Sequence, residues 1–169
     1  GWNEREGRVV PDLEDLTGGN DAVKFEPAAI LYADLSGSTD MVDNFKWWFA
    51  AEVYKVFLNA AARLIRHHDG EITAYDGDRV MGVFIGGMPR TRAVKCALRI
   101  NYAVNEILRP ELKAMYPDTE FSIQHAVGVD SSIVRATKAG VRGDSDLVWV
   151  GRAANWAAKL SSIDEPPYA

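Results

Sequence analysis

The hydrophobic pattern of this chain changes period several times, and each change marks an element. From Pro27, the run Ala28-Ala29-Ile30-Leu31-Tyr32-Ala33 is continuously apolar and ends at Asp34. A short, bounded apolar run predicts a strand buried on both faces. After Gly37, apolar side chains recur at Val42, Phe45, Phe49, Val53, Val56, Phe57, Ala60 and Leu64. Steps of three and four place them on one face, which predicts a single long helix from a Ser38 or Thr39 cap to about His67. His68-Asp69-Gly70 stops it. Residues 71–75 and 79–85 then read as two short strands around Asp76-Gly77, a strong hairpin signal. Gly86-Gly87-Met88-Pro89 breaks the chain before a second helix over about 89–108. Arg109-Pro110 is expected to end or kink it, with helical residues running on toward Met115. Strands follow at about 120–129, 132–137 and 146–150. Gly151 leads into a last helix from Arg152 to about Ile163, closed by Pro166-Pro167.

The resulting order, β-α-β-β-α-β-β-β-α, interleaves hairpins with helices. It favours an α+β sandwich of ferredoxin-like type over a doubly wound parallel sheet. Residues 1–25 carry Pro11 and the Thr17-Gly18-Gly19-Asn20-Asp21 breaker cluster, and read as a lead-in arm before one domain over 26–169. Composition adds little beyond an ordinary globular class, at 47% apolar and 25% charged residues. A net charge of −5 argues against a nucleic-acid-coating protein. It leaves a nucleotide substrate open, because bound cations supply positive charge locally. Cys96 is the only cysteine, so no intrachain disulfide forms; it reads as a small buried residue in a reduced, cytoplasmic protein. No run approaches the ~18–20 apolar residues that span a membrane, and the polar start is unlike a secretory signal.

The candidate chemistry begins with the two aspartates at the strand ends. Asp34-Leu35-Ser36-Gly37-Ser38-Thr39 delivers a carboxylate into a Gly/Ser loop at a helix start, and Asp76-Gly77-Asp78 delivers another at a hairpin. A hard divalent cation takes such oxygens, and the loop amides of Leu35, Ser36, Gly37 and Ser38 suit phosphate. Each motif alone also fits plain helix capping or turn chemistry. Asp-x-Ser-x-Ser further resembles the metal-dependent adhesion site of von Willebrand factor A domains. That fold needs a parallel doubly wound sheet, which the hairpin opposes. A third block, Gly151-Arg152-Ala153-Ala154-Asn155-Trp156-Ala157-Ala158-Lys159-Leu160, puts Asn155 and Lys159 four apart on one helix face.

Together the three blocks resemble the catalytic domain of class III nucleotidyl cyclases, the adenylyl and guanylyl cyclase family, over roughly residues 25–163. The resemblance implies a palm-type α+β sandwich and a homodimer with composite sites. It implies two Mn²⁺ or Mg²⁺ ions held by Asp34, Asp78 and a backbone carbonyl near Leu35. Asn155 is similar to the family's ribose-orienting residue, and Lys159 stands where its transition-state Arg is found. The positions that read a purine fall at Ala74 and Val148, where neither an adenine-type nor a guanine-type pair is present. Tyr75, Trp149 and Trp156 lie beside them and are expected to narrow the pocket. Ala126 stands where many members carry a phosphate-binding Arg, with Arg135 or Lys138 as candidate substitutes. Such unorthodox base positions are similar to those of the bacterial pyrimidine cyclases of antiphage defence. That resemblance implies a UTP or CTP cyclase, UTP preferred, whose cyclic product serves an effector that senses cyclic nucleotides. An adenylate or guanylate cyclase and an inactive, regulatory cyclase-like domain are the alternatives.

Overall fold

The computed structural model describes residues 1–141 and 143–163. The described strands are β1 Asn3–Glu6, β2 Asp21–Ser36, β3 Glu71–Asp76, β4 Arg79–Phe84, β5 Gln124–Val141 and β6 Asp144–Val150. The described helices are α1 Ser38–Asn44, α2 Trp47–His67, α3 Pro89–Ala103, α4 Arg109–Met115 and α5 Arg152–Ser161. One sheet runs in the order β3-β4-β2-β5-β6, with β1 beside the start of β2. Its pairings are antiparallel except for β1 on β2.

Strand alternation in β2 explains the layers. Ala29, Leu31, Ala33 and Leu35 point to one side and pack under Phe57, Ile65 and Ile100 of α2 and α3. Ala28 and Ile30 point to the other side and meet Ala153 and Ala157 of α5. Burying a side chain such as Phe57 or Ile65 contributes about 1.5–3 kcal/mol. The sandwich has helices on both faces, as the α+β reading anticipates. Small residues bring α5 in close. A Cβ on Gly128 would stand 2.0 Å from the Ala157 carbonyl oxygen, so α5 rests directly on the backbone of β5. No described helix is long and apolar enough to cross a membrane.

Four boundaries differ from the sequence expectation, each for a tertiary reason. β2 begins inside the expected arm. Asp21 is buried at its start because Arg5 Nη1 stands 2.7 Å from Oδ1 and the Thr17 amide donates to Oδ2 at 3.1 Å. The long helix breaks at Phe45 and Lys46, both extended. There the Phe45 ring stacks on Phe49 at 5.1 Å and meets Phe121 edge-on at 5.5 Å. The second helix runs through Arg109-Pro110 by way of a π-helical turn over Val104–Leu108, a wider register that tolerates the missing proline N–H. The strands expected at 120–129 and 132–137 are one, because Asp130, Ser131 and Ser132 find partners inside the fold. Arg152, Arg90 and the Ala153 amide bond them, each at 3.0 Å. The Pro166-Pro167 stop lies outside the described residues.

One side chain joins three segments. Arg92 of α3 donates to the carbonyls of Gly87 at 2.8 Å, Asp69 at 2.7 Å and His68 at 3.3 Å, and also to that of Ile85.

Candidate active site

β2 and β4 run side by side with Asp34 opposite Arg79, and the turn before Arg79 carries Asp78. The register therefore brings the two expected carboxylates together at one end of the sheet. Gly77 makes that turn with φ of 60°, a left-handed conformation that costs glycine little. Asp34 and Asp78 are both half-buried. Burial first, and the Asp78 charge second, push the Asp34 carboxyl up to about 6, against the opposing pull of Arg79. Neither carboxylate forms an ion pair among the described residues.

Such a donor set fits a divalent cation, with concentrated negative charge and oxygen ligands not already neutralised. No cluster of three or more His, Cys, Asp and Glu residues occurs among the described residues. Further ligands would be a backbone carbonyl such as that of Leu35, water and substrate oxygens. The Leu35 side chain itself is buried in the α2/α3 core, which anchors the loop. Ser36, Gly37 and Ser38 follow into α1, where Gly37 stands at the N-cap with φ of 69° and no side chain caps the helix.

Asp34 shares its sheet face with Tyr32, two residues earlier. The Arg79 guanidinium lies over the Tyr32 ring, 5.1 Å from its centroid, and Arg79 Nη2 stands 3.1 Å from Asp76 Oδ2. This Tyr32–Arg79 stack flanks the aspartates and was not singled out from the sequence. Strand period alone puts Tyr32 beside Asp34, whereas Arg79 needs the β2–β4 register.

The four expected base-pocket residues divide between faces. Ala74 packs in the α5-side core with Tyr32. Tyr75 is 57% exposed and turns toward α2, lining a groove with Ile72 and Arg66. A bulge between Ile72 and Ala74 sets this phase. Trp149 is packed on Phe25, 5.8 Å between rings, whereas its neighbour Val148 faces outward and exposed. β3 and β6 are opposite edges of the sheet, so one chain does not place Ala74 and Trp149 side by side.

Among the described residues, the remaining candidates make no side-chain hydrogen bond or ion pair with the aspartates. Asn155 and Lys159 are exposed on the outer side of α5, with Lys159 Nζ 5.1 Å from the Trp156 ring centroid. Ala126 is directly opposite Asp34. Arg135 is opposite Lys24, at the far end of β2, and is engaged by Glu4. Lys138 donates to the Leu13 carbonyl at 3.1 Å. Neither cation is brought to the aspartates within the chain.

This arrangement has close relatives. A uridylate cyclase of Burkholderia cepacia is 50% identical over 167 residues, covering 98% of this chain and 72% of that protein. A uridylate cyclase of a Rhodovulum species is 40% identical over 170 residues, covering 99% and 70%. The chain belongs to the class III nucleotidyl cyclases. This cyclase is therefore a phosphorus–oxygen lyase. Solved cyclase structures agree on the fold. The guanylyl cyclase Cya2 superposes with a TM-score of 0.72 at 21% identity, over 82% of this chain and 70% of its own. A class III adenylyl cyclase-like ATP-binding protein from Pseudomonas aeruginosa gives 0.73 at 20% identity, over 92% and 36%. No protein-family model matches the cyclase.

Proposed function

We propose that this cyclase converts UTP to 3′,5′-cyclic UMP and diphosphate at a site shared between two copies of the chain. The observation that carries the choice of base is the Arg79 guanidinium over Tyr32, in register with Asp34. Guanidinium only donates. Uracil presents carbonyl oxygens at both O2 and O4, whereas cytosine presents a donor amine in place of O4. A ring-plus-guanidinium wall also fills space that a purine's second ring would need, and Ala74 offers a purine edge no partner. The names of the relatives support the same base.

Asp34, Asp78 and the Leu35 carbonyl would hold the divalent cations, Mn²⁺ or Mg²⁺. Bound there, such ions lower the pKa of the ribose 3′-hydroxyl and offset triphosphate charge. The amides of Ser36, Gly37 and Ser38 would receive phosphate oxygens. Asn155 and Lys159, exposed and remote from their own chain's aspartates in the hydrogen-bond and ion-pair network, would come from the partner copy. There Asn155 orients the ribose and Lys159 offsets charge at the α-phosphorus. The chemistry asks for positioning and electrostatics, and no protein nucleophile. The resemblance to defence cyclases supports a messenger role for the product, read by a cyclic-nucleotide-sensing effector.

Incubation with equimolar ATP, GTP, CTP and UTP plus Mn²⁺ tests the assignment by product identity. Cyclic UMP should dominate, and Arg79→Ala should lose most of that preference. Cyclic AMP or cyclic GMP as the main product overturns the pyrimidine reading, and no cyclic product overturns the catalytic one.

A further inference from the structure

A second groove, of about 340 Å³, opens on the other side of β3 from Ala74. Its α2 wall carries Asn59, Arg63 and Arg66, and its β3 wall carries Ile72 and Tyr75. Steps of four and three align the three α2 side chains on one stripe. The bulge between Ile72 and Ala74 turns Ile72 and Tyr75 to the same side. Among the described residues, neither Arg63 nor Arg66 forms an ion pair. Two guanidiniums one turn apart repel each other, and the chain as a whole is acidic, at −5. Helix capping does not consume them, because the amides of His68 and Gly70 already close the end of α2 on the Leu64 and Ile65 carbonyls.

What remains is an uncompensated pair of forked cations beside an amide and an exposed phenol ring. Paired guanidiniums suit a phosphate's oxygens, and an exposed ring suits a stacked base. We propose that this groove is a second nucleotide site, off the catalytic face. It holds a nucleoside monophosphate group by its phosphate on Arg63 and Arg66 and by its base on Tyr75. An occupant would lean on the strand that ends in the Asp76-Gly77-Asp78 turn, and so bear on the catalytic carboxylates from behind. A peptide strand added to the β3 edge is the poorer fit, because the bulge interrupts the ladder.

The test needs no divalent ion and does not depend on turnover. The intact protein is titrated calorimetrically in EDTA with uridine monophosphate, and separately with inorganic phosphate. The Arg63→Gln/Arg66→Gln chain should bind the nucleotide at least about tenfold more weakly, the loss of two charge-assisted contacts. Tyr75→Leu should weaken the nucleotide and leave inorganic phosphate unchanged. Unaltered melting temperatures would show that both variants fold. Nucleotide affinity undiminished in the double arginine variant, or no binding to wild type, overturns the site. Equal affinity for inorganic phosphate and nucleotide, untouched by Tyr75→Leu, overturns the nucleotide assignment.

Discussion

In the proposed site, Asp34 would do two jobs that pull against each other. Its carboxylate is wanted as an anion at the site, while burial and Asp78 favour the proton and push it up to about 6. An unfolded aspartate titrates near 3.9. Without divalent ions, the native state therefore holds the Asp34 proton more tightly than the unfolded state does. Stability from that proton is full below about 4 and is lost as pH rises through about 6. Asp34→Asn removes the cost of the charge, so in EDTA its melting temperature should gain on wild type as pH rises from 4 to 7. A constant difference across that range would contradict the raised carboxyl. The same substitution should abolish turnover, as should Asp78→Ala. Both aspartates were legible in the sequence because a strand end and an Asp-Gly turn have local signatures. Tyr32–Arg79 was not, since only pairing across β2 and β4 makes those two residues neighbours.

Among the elements, α5 depends on what is missing beneath it. Its buried side is made of Ala153, Ala154, Ala157 and Ser161, and Gly128 supplies no side chain to hold it off. Gly128→Ala puts a methyl 2.0 Å from the Ala157 oxygen and 2.6 Å from the Ser161 nitrogen. The helix must move, at a cost of about 1–3 kcal/mol by the scale of overpacked cores. Thermal melting should register that loss, and turnover should fall as well, because Asn155 and Lys159 ride on the same helix. Element types were legible from periodicity, and the failures share one cause. Asp130-Ser131-Ser132 looks like a turn until Arg152 and Arg90 arrive from elsewhere in the chain. Phe45 continues a helical stripe until Phe121 offers a better contact. The Tyr75 face was hidden for a similar reason, since a bulge shifts the period of two on which sequence reading relies.

At the scale of the whole molecule, no hydrogen bond or ion pair among the described residues joins the aspartates to the α5 pair, and the proposed site draws them from two copies. Mixing Asp34→Ala chains with Lys159→Ala chains should restore activity in heterodimers, since one of the two shared sites then carries no substitution. Full activity in a strictly monomeric wild-type protein, measured by gel filtration with activity in the same fractions, would rule out the shared site. The global fold rests on two cores back to back, and at the edge of the α2/α3 core one connection is concentrated in a single side chain. Arg92 ties the end of α2 to the chain between β4 and α3, through four carbonyls in two segments. The amides of residues 68–70 also bond to α2 carbonyls, but Arg92 is the side chain common to both segments, so its release loosens them together. In hydrogen–deuterium exchange, residues 68–70 and 85–88 should therefore label together, as one cooperative unit rather than two loops.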